Sequence, residues 1–463
     1  MDPTHPSMEL SSLEQSCPRG YVRPLFCFST TLEHNEICDL LSRGLASTKE
    51  AIPMLSHQLI RDPDSQQEGL YRLVPSNNSG KFHIEDLRGG KFKPTYEELK
   101  KKHFPTSALP QDALCPLPIF PREATGIPVF AAQATLIDGG LILSFCIMHL
   151  VADARAIFEI LKIWAHNCRH EQNPEELPSC QQLPPALFAK RAFTRESGSE
   201  AVLAHHNRSV LQPLNYKVYS SPQPPPPALL KSSFRTRVFR FSASSLKRLK
   251  NDVAARLGSD PGISTQNAIF ALVWCCVLAA QVDHPSLAPD TISLNTICVD
   301  GRRRCSDPLP ENHIGCPMMY AIPRLGVREL LGADNLAQAA MSIRTAVNAV
   351  DGNAISALVD FLSSVRSYDC VVPVTFEGLM DTSIMMSSWF RLPFYEIDWG
   401  NMFDHGRCDR VRTVHEGFFN GSQLIMPELP AGEMEVVIGL DESNWTKFES
   451  NELWRSYVHQ EEA

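Results

Sequence analysis

Gly139 to His166 reads GGLILSFCIMHLVADARAIFEILKIWAH, and this stretch constrains the fold more than any other. Eight apolar or small residues follow Gly140 without a charge, the pattern of a strand buried on both faces. From Asp153 the period changes, and Ile157, Ile160, Leu161, Trp164 and Ala165 recur at helical spacing. A buried strand that runs straight into an amphipathic helix demands layered α/β packing. His149 and Asp153 sit at the join, on a short loop fixed by two rigid elements, where reactive side chains are commonly held.

The pair also has a plainer explanation. Asp153 suits the N-cap of the helix, and His149 suits a hydrogen-bonded core histidine. A second H-x-x-x-D, His405 to Asp409, serves as an internal control. It lies in a charged, glycine-containing stretch with neither strand before it nor helix after it, so spacing alone does not define a site.

At 463 residues the chain exceeds one core of ordinary size, and two domains of about 200 residues each are expected. The break falls at YKVYSSPQPPPPALLKSS, residues 216–233, where the prolines favour an extended connection. Residues 20–215 and 234–463 are then the two halves, each mixing strands and helices. A net charge of −9 and a pI near 5.9 argue against nucleic acid or an anionic membrane as the main partner. The longest apolar run, Ala268 to Ala280, falls short of the about 20 residues needed to cross a bilayer and reads as a buried helix. No secretory pattern opens the chain, and fourteen cysteines without paired C-x-x-C spacing suit reduced thiols, so a cytoplasmic location is expected.

No H-E-x-x-H, Cys/His metal spacing, G-x-S-x-G elbow, phosphate loop or dinucleotide fingerprint occurs. Metal hydrolysis and nucleotide-dependent chemistry lose ground, and neither a metal nor a tightly bound cofactor is expected.

Taken jointly, the motifs resemble those of the BAHD acyltransferases, in particular the fungal branch that acylates hydroxyl groups of secondary metabolites. His149 to Asp153 matches the family's H-x-x-x-D, with Ala154 where glycine is common, behind a glycine-led apolar strand. SSWFRLPFYEIDWGNM resembles the T-S-W and D-F-G-W-G signatures: Ser387, Ser388 and Trp389 match the first, and Asp398, Trp399 and Gly400 begin the second. Asn401 and Met402 stand where the family has tryptophan and glycine. GISTQNAIFALVW and CVDGRRRCSDPLPENHIGC resemble its S-T-x-x-A helix start and its D-x-R-x-R and Y-x-G-N segments, in the family's order.

The resemblance implies an α/β fold of two similar-sized chloramphenicol acetyltransferase-like domains, each a mixed sheet with flanking helices, joined by a long crossover linker. It implies a monomer that moves an acyl group, most simply acetyl, from acyl-CoA to a small-molecule alcohol. His149 is the implied general base, Ser387 and Trp389 the oxyanion donors, and Asp153 an orienter paired with Arg302 or Arg304. Asp398, grouped with this set, and Gly400 shape the second-motif loop. Because CoA is strongly anionic, the helix start at Ser264 and Thr265 and the basic residues Lys247 and Arg248 are candidate phosphate contacts. Two other readings keep the fold: a condensation-type enzyme fed by a carrier-protein thioester, and a catalytically silent binding protein.

Overall fold

The computed structural model describes residues 7–30, 32–122, 125–194, 215–222, 234–258, 262–281, 283, 287–374, 382–415 and 419–458. Strand Gly140–Met148, buried at every position, lies at the centre of the first sheet. It pairs antiparallel with Phe130–Ile137 on one side and Pro24–Ser29 on the other. Lys81–Asp86 extends the sheet in parallel beyond Phe130–Ile137, and Tyr21–Val22 pairs with the end of the central strand beside His149.

Helices His34–Ala51 and Ala154–Gln172 cover one face of this sheet and pack on each other. The Trp164 indole, fully buried, donates to the Leu41 carbonyl at 2.9 Å. Gly44 permits the close crossing, since a Cβ there would lie 2.8 Å from the Cys168 nitrogen. The period-3.6 reading of residues 157–165 therefore describes a real core stripe.

The second sheet runs Phe234–Phe241, Met434–Asp441, Ser422–Ile425, Ile384–Ser388, Ile292–Asp300 and Met318–Ala321, with parallel pairing on both sides of Ile384–Ser388. Its hydrophobic layer is built on helix Thr265–Ala280, which buries Ala268 to Leu278 without a break. Such a helix is apolar all round because other helices enclose it, here Ala243–Arg256, Asn335–Asn348 and Trp445–Ser450. Among the described residues no helix is long and apolar enough to cross a membrane.

The linker separates the chain without separating the sheets. Arg410–Thr413, from the second half, pairs antiparallel with Pro24–Ser29 and becomes an edge of the first sheet. Arg412 in this strand is buried and donates to both carboxylate oxygens of Glu435, at 2.7 and 3.0 Å, so one ion pair ties that edge to the second sheet. Leu13 and Cys17, from the start of the chain, belong to the core of the second half. Tyr216–Val218, expected as the opening of an extended connection, is a strand paired with Val371–Pro373. The proline run at 224–227 lies outside the described residues.

Candidate active site

His149 leaves the central strand with its N–H donated to the Gly20 carbonyl at 2.8 Å. Its ring faces a cavity of about 640 Å³ walled by both halves: Tyr21, Arg23 and Ile119 from the first, and Met318, Ser387, Trp389 and Leu424 from the second. On the ring's other nitrogen, Nδ1 lies 3.6 Å from the Cys316 sulfur. Burial pushes the imidazole toward its neutral form, but Cys316, a main-chain acceptor at His149 itself and the Asp153 carboxylate outweigh it. Together they hold its pKa above the ordinary histidine value.

Asp153 does two structural jobs at once. One oxygen accepts the Ala156 N–H at 2.9 Å and caps helix Ala154–Gln172. The same carboxylate receives Arg302 through two parallel bonds of 2.6 and 2.8 Å. Arg302 is 1 % exposed and also donates to Asp300, at 3.0 Å, and to the His313 and Gly315 carbonyls, at 3.0 and 3.2 Å. Desolvation opposes ionisation of Asp153, and the adjacent guanidinium overrides it, so its carboxyl stays below the usual range. Arg304 does not reach Asp153; it donates to the Val347 and Val350 carbonyls, both at 2.7 Å. Two residues apart on a turn, the arginines point into different layers.

Ser387 lies in strand Ile384–Ser388, in register with Leu424. Trp389 follows the strand; its main-chain N–H binds the Ile425 carbonyl at 2.8 Å and its ring packs on Phe394, with centroids 6.0 Å apart. Both residues line the His149 cavity.

The second motif stands apart from this cavity. Asp398 pairs with Arg169 at 2.9 Å and accepts the Gly400 N–H at 2.9 Å, in a neighbouring groove along helix Ala154–Gln172. Trp399 is buried against Trp164, centroids 5.7 Å apart, and Gln172 binds the Trp399 carbonyl and the Asn401 N–H at 2.9 and 2.7 Å. Gly400 has φ +74°, and a Cβ there would meet the Gln172 amide at 2.6 Å. The loop is a clip that fastens the second half to the first half's helix. In the control motif, Asp409 accepts from the Tyr96 hydroxyl at 2.7 Å and from Lys100 at 3.2 Å, a structural role away from the cavity.

The expected phosphate contacts are placed differently. Lys247 and Arg248 project from the outer face of helix Ala243–Arg256, where Arg248 binds the Ser456 carbonyl and covers the Tyr457 ring. They do not line the cavity, because the inner face of that helix carries Leu246, Leu249 and Val253 into the core. Ser264 caps its own helix through Asn267, and of this first turn it is Gln266 that reaches the cavity wall. The cations on that wall are Arg23, Arg155, Arg303 and Arg391. Nothing in their spacing marked them out as a set, since they come from four separate segments, although Arg155, Arg303 and Arg391 each lie in or beside a stretch matched to a signature. Among the described residues no cluster of histidine, cysteine and carboxylate side chains is arranged to hold a metal.

Comparison with known proteins agrees with this architecture. Residues 2–453 match the Transferase family. Acyltransferase BOA11 of Botryotinia fuckeliana is 24% identical, with 97% of each chain covered. Eremophilane O-acetyltransferase prx11 of Penicillium rubens is likewise 24% identical over 97% of this chain and 98% of its own. The crystal structure of Fusarium sporotrichioides TRI101, complexed with coenzyme A and T-2, superposes with a TM-score of 0.80 at 21% identity, covering 98% of this chain and 99% of that one.

The family match over nearly the whole chain and the O-acyltransferases among its relatives give the class of enzyme. The chain belongs to the Transferase family, the BAHD acyltransferases, and is by class an O-acyltransferase with acyl-CoA as co-substrate.

Proposed function

We propose that this enzyme transfers an acetyl group from acetyl-CoA to a hydroxyl of a small terpenoid- or polyketide-like metabolite, as a cytosolic monomer. The observation that carries the reading is the convergence of His149, Ser387 and Trp389, from opposite halves, on one cavity. The relatives named for O-acetylation support the acetyl donor and the alcohol acceptor.

An alcohol is a poor nucleophile near neutral pH, and a base at hydrogen-bond distance is needed. Nε2 of His149 takes the acceptor's proton as its oxygen attacks the thioester carbonyl. The tetrahedral oxyanion receives hydrogen bonds from the Ser387 hydroxyl and the Trp389 indole N–H. Its collapse breaks the carbon–sulfur bond, and the proton held on His149 passes to the departing CoA thiolate, leaving ester and free thiol. Asp153 acts at a distance, through Arg302 and the helix cap. Arg23, Arg155, Arg303 and Arg391 offer an anionic donor cationic partners on walls that also carry Asp153, Asp300 and Glu311, the last of these paired with Arg155 and Arg303.

The test begins with calorimetric titration of acetyl-CoA, malonyl-CoA and a longer acyl-CoA. Turnover with a panel of alcohols follows, for the native enzyme and His149→Ala. Micromolar binding of acetyl-CoA and loss of turnover in the variant are expected. Failure of every soluble acyl-CoA to bind, or full turnover without the imidazole, would overturn the proposal.

A further inference from the structure

Two thiols stand in series behind His149. The Cys316 sulfur is 3.6 Å from Nδ1, and 3.4 Å further on lies the sulfur of Cys17. Cys17 in turn is 3.5 Å from the Leu13 carbonyl and 3.6 Å from the Cys316 carbonyl. Neither cysteine lines the cavity, and their exposures are 0% and 5%, so water does not compete for these contacts. Leu13 belongs to the short helix Ser12–Gln15, itself fixed by a reciprocal cap between Ser11 and Glu14.

The direction of the series follows from counting protons. Two carbonyl oxygens, which only accept, flank the Cys17 sulfur, and we assign its single proton to one of them. Its sulfur is then left to accept from Cys316. With that proton committed, the Cys316 sulfur is an acceptor toward the ring, and Nδ1 is the protonated nitrogen. The opposite direction would set Cys17's sulfur lone pairs against carbonyl oxygens and place the ring proton on Nε2. Burial keeps the Cys316 proton in place, because it pushes that thiol well above its ordinary value. Asp153 does not fill this role: its oxygens are taken by Arg302 and by Ala156.

We propose that Cys316, backed by Cys17, is a positioning residue that holds His149 in the Nδ1–H tautomer, with the Nε2 lone pair turned to the cavity. This rests on His149 being the base. The main-chain acceptor at His149 acts in the same sense, and the thiols supply the ring's second point of fixation. In a site whose aspartate is spent on an arginine, sulfur takes the place behind the imidazole that a carboxylate fills in a Ser-His-Asp triad.

The test compares Cys316→Ala, Cys316→Ser, Cys17→Ala and His149→Ala in the full chain. Cys316→Ala is expected to lower kcat about 10- to 100-fold, the range seen when the partner that orients a metal-bound histidine is lost, with the KM of both substrates unchanged. Serine keeps one donor and one acceptor and restores most of the rate. Cys17→Ala frees the Cys316 proton to turn toward the ring and gives an intermediate loss. Nitrogen-15 NMR of labelled histidine reads the tautomer directly: one pyrrole-like and one pyridine-like nitrogen in the native enzyme, averaged signals in Cys316→Ala. A native rate and native tautomer signals in both alanine variants, with His149→Ala inactive, would overturn this inference alone. An active His149→Ala would instead overturn the assignment of the base.

Discussion

Asp153 and Arg302 meet through two parallel hydrogen bonds, 2.6 and 2.8 Å long, between the loop that carries the base and a turn of the other half. The guanidinium is almost wholly enclosed, and this carboxylate is its two-point partner, with Asp300 bonding it through one oxygen. Asp153→Ala removes the partner and the helix cap together. The expected loss is about 3–5 kcal/mol of unfolding free energy, the usual cost of stranding a buried charge. Denaturant titration checks it, and replacing both partners by apolar residues of similar volume should cost less than the single change.

Ser387 and Trp389 are separable from folding. Ser387→Ala deletes one hydroxyl, and Trp389→Phe deletes the indole N–H while keeping a ring to pack on Phe394. If both donate to the oxyanion, each lowers kcat by about 10²–10³ without weakening acyl-CoA binding. Parallel calorimetry and steady-state kinetics on the two variants give the split.

Activity should rise with pH through the ionisation of His149. The base works unprotonated, and its pKa is held above 6.5, so the acid limb of the rate profile should have its midpoint above that value. Stability responds in the other pH range. The Asp153 and Glu435 carboxyls are both depressed by buried arginines. Their contribution is complete above the unfolded carboxyl range and is lost as pH falls through the folded values. Unfolding free energy measured at pH 6 and pH 3 should be lower at pH 3.

Gly400→Ala tests the second-motif loop as a clip. The left-handed backbone at φ +74° and the contact with Gln172 both penalise a methyl group. A loss of about 1–3 kcal/mol in stability is expected, with donor KM unchanged. A fall in kcat at native stability would instead mean that the loop reaches the chemistry.

Lys247→Ala should leave the KM for acyl-CoA as it is, because this side chain projects away from the cavity. Arg391→Ala, at the cavity wall, should raise it. Measuring both in one salt series distinguishes local contact from general field, since only the latter fades uniformly with ionic strength.

How far the sequence could be read depended on range. Strand Gly140–Met148, helix Ala154–Gln172 and the Asp153 cap follow from periodicity and local chemistry, and the structure has them. Ser387 and Trp389 were named through a signature, and they do share a cavity with His149. Choosing Arg302 over Arg304 needed the turn's geometry, because both suit the motif. Lys247 and Arg248 drew attention as a charge run, which on a helix is usually its solvated face. Cys17 carried no signal and Cys316 only its place at the end of the segment matched to Y-x-G-N: both are far from His149 in sequence, and a buried cysteine looks like any small apolar residue. The edge strand Arg410–Thr413 was equally silent, since four residues are too few to show a period and its Arg412 is buried where an arginine is expected to be exposed.

That edge strand bears on how the protein is made. As the chain leaves the ribosome, Pro24–Ser29 has Gly140–Met148 to pair with on one side only until residues 410–413 have emerged. A fragment ending at the proline-rich connection would be left with that strand's other side bare and with Leu13 and Cys17 stripped of their cover. The two halves are thus not exchangeable cassettes. Shuffling one against a relative's counterpart would have to carry residues 410–413 along with the first half.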